Sequence, residues 1–152
     1  MNWEQSFTEF AARKEAEARA ATLSPYSTST EHPLANAVAL ENPWTRRFFD
    51  GAFYTSALSA AMPTTSLVFV QSRDGNTGAK DPSSLGGGDT DKHLIYEGLS
   101  RVAADAVLAG AETVRGGHLV FSCWLPEIVA LRASLGFPRH PDRKSTRLNS
   151  SH

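Results

Sequence analysis

The chain has 152 residues, a formal net charge of −1, 41% hydrophobic residues and 20% charged ones, which fits one globular domain with extensions and argues against a disordered or strongly basic, nucleic-acid-binding chain. No apolar run is long enough to cross a bilayer and the first residues lack a signal-peptide core, so a cytoplasmic protein with neither nucleic-acid nor membrane partners is expected. Cys123 is the only cysteine, which excludes an internal disulfide and a multi-thiolate zinc site, and no metal is expected.

Residues 1–23 read as an N-terminal helix. Asn2 is placed to cap it with Gln5 reaching back, and Trp3, Phe7, Phe10 and Ala11 recur on one face. Glu9 with Arg13 and Glu15 with Arg19 are favourable four-residue pairs. The helix is expected to run to Thr22, where Ser24-Pro25 stops it. Its charges are mixed, which suits a packing or oligomer-contact helix better than a membrane-surface one. Residues 24–45 form a linker, because Pro25 to Pro33 is rich in Ser and Thr between prolines. His32 within it reads as a solvated side chain. Leu34 to Leu40 reads as a short helical turn, and Trp44, Phe48, Phe49, Phe53 and Tyr54 form an aromatic cluster suited to core packing or a subunit contact.

Residues 46–141 carry the chemistry. Ser66 to Gln71 is a β-branched and aromatic run fit for a buried strand, and Ser72-Arg-Asp-Gly75 follows it as a turn. The glycine-rich loop from Ser72 to Gly88 is suited to lie over a ligand as a lid or to serve as a plain connector. It lacks the Gly-Lys-Ser/Thr ending of a P-loop, so no nucleotide triphosphate role follows. Asp89 is expected to cap the next helix, with Asp91 near its start and Leu94, Ile95, Leu99 and Val102 on its inner side. Arg101 falls on another face, and His93 reads as a surface or capping residue.

Asp105 to Arg115 is the most informative stretch. Ala106 to Ala109 reads as a short buried strand, Gly110 permits a tight turn, and Glu112-Thr113-Val114 starts a helix. The free N–H groups and partial positive charge of such an end attract anions. Glu112 is a carboxylate in that first turn and competes with a phosphate for the same charge. His118 to Ser122 reads as a strand, Cys123 as a small buried apolar residue, and Leu125 to Leu135 as a helix opened by Pro126 and stopped by Gly136, with Ile128, Leu131 and Leu135 inward. Phe137 to Pro141 leads toward a further strand.

In this order, Ser72-Arg73-Asp74-Gly75, the Asp105 to Val114 stretch and the lead-in Phe48 to Tyr54 resemble the reductase domain of the bacterial bifunctional riboflavin-biosynthesis deaminase-reductase family. The resemblance spans roughly residues 46–141. Two positions depart from the family pattern: Arg73 replaces an apolar residue, and Gly116-Gly117-His118 stands where an acidic residue and then Asp-Pro are common. The resemblance implies an α/β fold, a partial dihydrofolate-reductase-like domain preceded by the N-terminal helix and linker. It further implies NADPH as cofactor, with Gln71, Gly110, Ala111, Thr113 and Gly117 on the cofactor side and Arg101 toward a substrate ribose phosphate. The substrate implied is a small pyrimidine, 5-amino-6-(5-phosphoribosylamino)uracil, reduced by direct hydride transfer. No residue stands out as a catalytic acid. A homodimer of the intact protein is compatible with this reading. The His-x-Glu and Pro-Cys-x-x-Cys patterns of a zinc deaminase are absent from the sequence. Other readings stay open: a reductase of another pyrimidine or pterin, or a non-catalytic nucleotide-binding or structural protein.

Residues 142–152, Asp-Arg-Lys-Ser-Thr-Arg-Leu-Asn-Ser-Ser-His, match a translated short-read library adapter in one frame. They are therefore expected to be an artefact, with the natural protein continuing past Pro141 and the present chain being a fragment.

Overall fold

A computed structural model describes residues 2–28, 37–56, 63–66, 68, 71–76, 88–109, 115 and 120–145. The chain is mixed α/β and divides into two compact units, one formed by Met1–Arg19 with Tyr96–His152 and one by Ala20–Ile95.

The first unit opens with helix α1 (Trp3–Ala20). Asn2 caps it as expected, its side-chain oxygen accepting from the Glu4 N–H at 3.2 Å. Gln5 does not reach back to Asn2; its amide donates instead to Glu9 at 3.2 Å. That contact draws Glu9 toward Gln5, and Arg13 lies by Glu17 at 4.0 Å. The expected Glu15–Arg19 pair forms at 3.1 Å, and Arg19 also bridges to Glu127. The helix ends at Ala20, short of Thr22. Phe7 and Phe10 stack at 6.3 Å and are half-buried, but Trp3, the first residue of the helix, is 74% exposed.

The rest of this unit is built from β3 (Ala106–Ala109), α4 (Pro126–Ser134) and β4 (Asp142–Ser145). The two strands pair in parallel, from Ala106↔Asp142 to Ala109↔Ser145. A parallel pair needs a long crossover, and α4 lies within it. Pro126 occupies the first turn of α4, where its missing N–H costs nothing. Gly136 at φ 79° ends the helix, and the Phe137 N–H closes back on the Arg132 carbonyl at 2.9 Å. Ile128 and Leu131 are buried as expected, whereas Leu135 is only half-buried. Each fully buried apolar side chain of this size contributes roughly 1.5–3 kcal/mol. The strand expected over His118 to Ser122 is not formed at Val120 to Ser122, which are irregular, and residues 116–119 lie outside the described residues. β3 is a strand but not a buried one, since Leu108 is 69% exposed.

The second unit holds β1 (Ala37–Leu40), α2 (Pro43–Phe48), β2 (Phe53–Ser56) and most of α3 (Gly88–Glu97). Residues 37–40 are a strand and not the expected helical turn. They pair antiparallel with β2, from Ala37↔Ser56 to Leu40↔Phe53, and cross-strand pairing overrides the weak helical preference of Ala-Val-Ala-Leu. β1 and the start of α2 therefore fall within residues 24–45, where a linker was expected. α2 is set by a reciprocal cap: Asn42 Oδ1 accepts from the Trp44 and Thr45 N–H groups at 2.9 and 3.0 Å, and the Asn42 N–H donates to Thr45 Oγ1 at 2.9 Å. It buries Trp44 and Phe48, whose rings lie 5.3 Å apart. The expected aromatic cluster thus forms in part, with Phe49 stacked on Phe53 at 4.8 Å and Tyr54 exposed. Tyr26 bridges to Phe49, its N–H donating to the Phe48 carbonyl at 2.7 Å. α3 starts at Gly88, so Asp89 sits in its first turn and not at the cap. Its expected inner face is present at Leu94 and, after the helix, at Val102.

Candidate functional site

The cofactor-side positions fall in separate parts of the chain. Gln71 and the Ser72 to Asn76 turn lie in the second unit. There the Gln71 side-chain amide donates to the Gly75 carbonyl at 3.2 Å, and the Gly75 N–H donates to the Ser72 carbonyl at 2.9 Å. Gly75 adopts φ 91°, a conformation that favours glycine. Ser72 Oγ accepts from the Asn76 N–H at 3.0 Å and donates to the Asp74 carboxylate. That hydroxyl, followed by backbone N–H groups, holds the Asp74 carboxyl below the usual carboxylate range. The expected turn is therefore present, closed on itself by the Ser and Asp side chains, with Gln71 exposed at its base.

In the first unit, β3 ends at Ala109. Gly110, Ala111, Thr113 and Gly117, the remaining cofactor-side residues, lie outside the described residues. By sequence, Gly110 directly follows the carboxyl end of the strand.

Arg101 is 3% exposed. This differs both from a substrate-facing arginine and from a solvated helix-end one. Its Nη1 donates to the Val120 carbonyl at 2.7 Å, and its Nη2 donates to the Tyr96 carbonyl in the last turn of α3. The charge thus sits against the negative end of the helix. Beside it, Arg132 of α4 is fully buried. Its Nε donates to the Pro138 carbonyl at 2.8 Å, and its Nη1 to the carbonyls of Ala104, at 2.8 Å, and Arg101. Burial lowers the pKa of both guanidinium groups, which remain cationic. Among the described residues, Arg101 Nε and Arg132 Nη2 are buried with no hydrogen-bond acceptor. The carbonyls these arginines hold are Tyr96 at the end of α3, Arg101 and Ala104 ahead of β3, Val120 in the irregular segment before α4, and Pro138 between α4 and β4, so the pair ties these connecting segments together.

Cys123 lies against this cluster. Burial pushes its thiol pKa up, and the positive charges of Arg132, Arg101 and Arg139 only partly offset that. The thiol is therefore protonated at neutral pH, which agrees with a buried apolar role. The Cys123 N–H donates to His140 Nδ1 at 3.0 Å, which fixes the neutral tautomer with its proton on Nε2. Burial first, then Arg139 and Arg132, lower the His140 pKa. Sequence reading missed Arg132 and His140. Arg132 had a signal: it lies four residues after Ile128, on the face that packs inward. His140 had none.

Among the described residues, no group of three or more His, Cys, Asp and Glu side chains could hold a metal, and no helix is long and apolar enough to cross a membrane. No family model matches the chain, and no curated protein or solved structure matches it.

Proposed function

We propose that the chain is part of a cytoplasmic, NADPH-dependent reductase acting on a phosphoribosylaminouracil of riboflavin synthesis, within a partial dihydrofolate-reductase-like domain. The observation that carries this reading is β3, which ends at Ala109. The sequence places Gly110, Ala111 and Thr113 directly after its carboxyl end, and the chain that follows Pro141 runs parallel to it. In parallel α/β sheets ligands bind beyond the carboxyl ends of the strands, where helix N-termini offer free N–H groups. The Asp-Gly turn after Gln71 adds support, since it has the closed form its sequence motif requires.

In this reading the N–H groups after Gly110, together with Thr113 and Gly117, hold the cofactor diphosphate, and Gln71 lies on the nicotinamide side. When bound, NADPH supplies the hydride, and the protein's own contribution is to orient it against the ribosyl carbon and exclude water. Arg101 supports the end of α3 in this account and does not act as a ligand contact. Its burial also favours a second reading, a structural or nucleotide-binding protein without turnover, because the one candidate substrate contact is committed to backbone carbonyls.

Calorimetric titration with NADPH separates the two readings. If the source DNA reads on past the codon for Pro141 into further coding sequence, the protein it encodes is expected to bind at micromolar concentration and to oxidise NADPH when the aminouracil is present. The present chain is expected to bind weakly or not at all. Binding without turnover by the extended protein would select the second reading.

A further inference from the structure

Helix α1 is tied to the rest of its unit by side chains of different kinds toward its two ends. Toward the C-terminus Ala18 is buried and Arg19 bridges to Glu127 of α4. Toward the N-terminus Phe7 meets the His140 ring edge to face, with centroids 6.0 Å apart and planes at 89°. His140 is itself held by a hydrogen bond, its Nδ1 accepting from the Cys123 N–H at 3.0 Å. That bond exists only while Nδ1 is unprotonated, because an imidazolium donates from both nitrogens and would set one N–H against another. The surroundings act in the same direction. Partial burial, then Arg139 in the segment after α4, then Arg132 of α4 oppose a positive charge on the ring. Cys123, before α4, holds a protonated thiol and offers no counter-charge. On α1, Arg13 lies over the Phe10 ring, 6.0 Å from its centroid, and adds a further cation on that side. Glu4, one turn before Phe7, and Asp142, two residues after the ring, are exposed to solvent, which screens them.

We propose that His140 is an acid-sensitive latch on the N-terminal half of α1. Neutral, the ring bridges Cys123 to Phe7. Protonated, it leaves the Cys123 N–H and gives up its contact with Phe7, so that half of the helix loosens while Arg19 stays bridged to Glu127. A helical segment released from its packing surface frays, since isolated helices of this length are marginal in water. Loosening uncovers Phe7 and Phe10, which are half-buried in the neutral state, beside the already exposed Trp3. The change is local, so overall stability shifts little. The latch is independent of the reductase reading.

Amide protection factors of Phe10, Ala11 and Ala12, corrected for the intrinsic pH dependence of exchange, test it from about pH 7.5 to about pH 5. The Leu131 and Arg132 amides of α4 serve as the reference. Loss of the hydrogen bond and its ring contact predicts a fall of about fivefold at the α1 amides. Its midpoint should coincide with the titration of the His140 ring followed by NMR, below about 6.5. His140→Gln, whose amide oxygen accepts from the Cys123 N–H at every pH, is expected to show no fall, and so is His140→Phe, which keeps a ring against Phe7. Unchanged α1 protection in the unsubstituted protein overturns the proposal. So does a rise, which a cation–π contact between the imidazolium and Phe7 would give. A fall of the same size in either variant, or at the α4 amides, overturns it too. If neither variant folds, a midpoint of α1 loosening that differs from that of the ring does so alone.

Discussion

The Arg132 guanidinium donates to the Ala104 carbonyl at 2.8 Å and so ties the last turn of a helix to the segment that leads into a strand. The same side chain also holds the Pro138 and Arg101 carbonyls. Replacing Arg132 with Leu removes these donors from buried or part-buried carbonyls. Each stranded carbonyl costs about 1–3 kcal/mol, and relief from burying the charge offsets part of the total. A net loss of about 3 kcal/mol is expected, read as a lower urea midpoint. A midpoint equal to that of the unsubstituted protein would show that the carbonyls find other donors.

Gly98 approaches Ile128 so closely that a Cβ added at Gly98 would lie 2.7 Å from Ile128 Cδ1. Gly98→Ala is therefore expected to destabilise the protein by about 1–3 kcal/mol through overpacking. Shortening Ile128 to Val removes Cδ1 but leaves Cγ1, which would lie 2.8 Å from the added Cβ, so the double variant should recover only part of that loss. Additive losses in thermal unfolding would contradict the clash.

The pKa of His140 is lowered on folding, so the folded protein favours the neutral ring, which accepts from the Cys123 N–H. A group of this kind contributes stability that is complete above its unfolded value of about 6.5 and is lost as pH falls through its folded value. The ring is largely exposed, so the effect is small. Urea midpoints measured from pH 8 down to pH 5 should fall more steeply for the natural residue than for His140→Gln. Parallel profiles would remove His140 from the account.

Cys123 is buried with its thiol pKa raised. Alkylation by a maleimide at neutral pH is expected to proceed at the rate of unfolding, and to become rapid in denaturant. Rapid modification of the folded protein would mean that the thiol reaches solvent.

Local signals in the sequence foretold local structure. Asn2, Pro126 and Gly136 mark helix ends that the backbone adopts, because caps, a first-turn proline and a left-handed glycine act over a few residues. Ser72 to Gly75 announced its turn for the same reason. β1 was not legible, since Ala37 to Leu40 becomes a strand only by pairing with Phe53 to Ser56 on the other side of α2. The environment of Arg101 was equally hidden: periodicity placed it on a helix face but said nothing of Val120, which meets it from elsewhere. Of the candidate cofactor positions, the turn at Gln71 follows from its own residues. The others, Gly110, Ala111, Thr113 and Gly117, lie outside the described residues.

The Arg19–Glu127 bridge joins residues made early in synthesis to residues made late. The unit they belong to is interrupted in sequence by Ala20–Ile95, which forms a unit of its own. On the ribosome the inserted segment is complete first, while the helix that precedes it waits for its partners with Phe7 and Phe10 uncovered. Chaperone engagement with nascent chains should therefore be strongest at intermediate lengths and fall once α4 has left the exit tunnel.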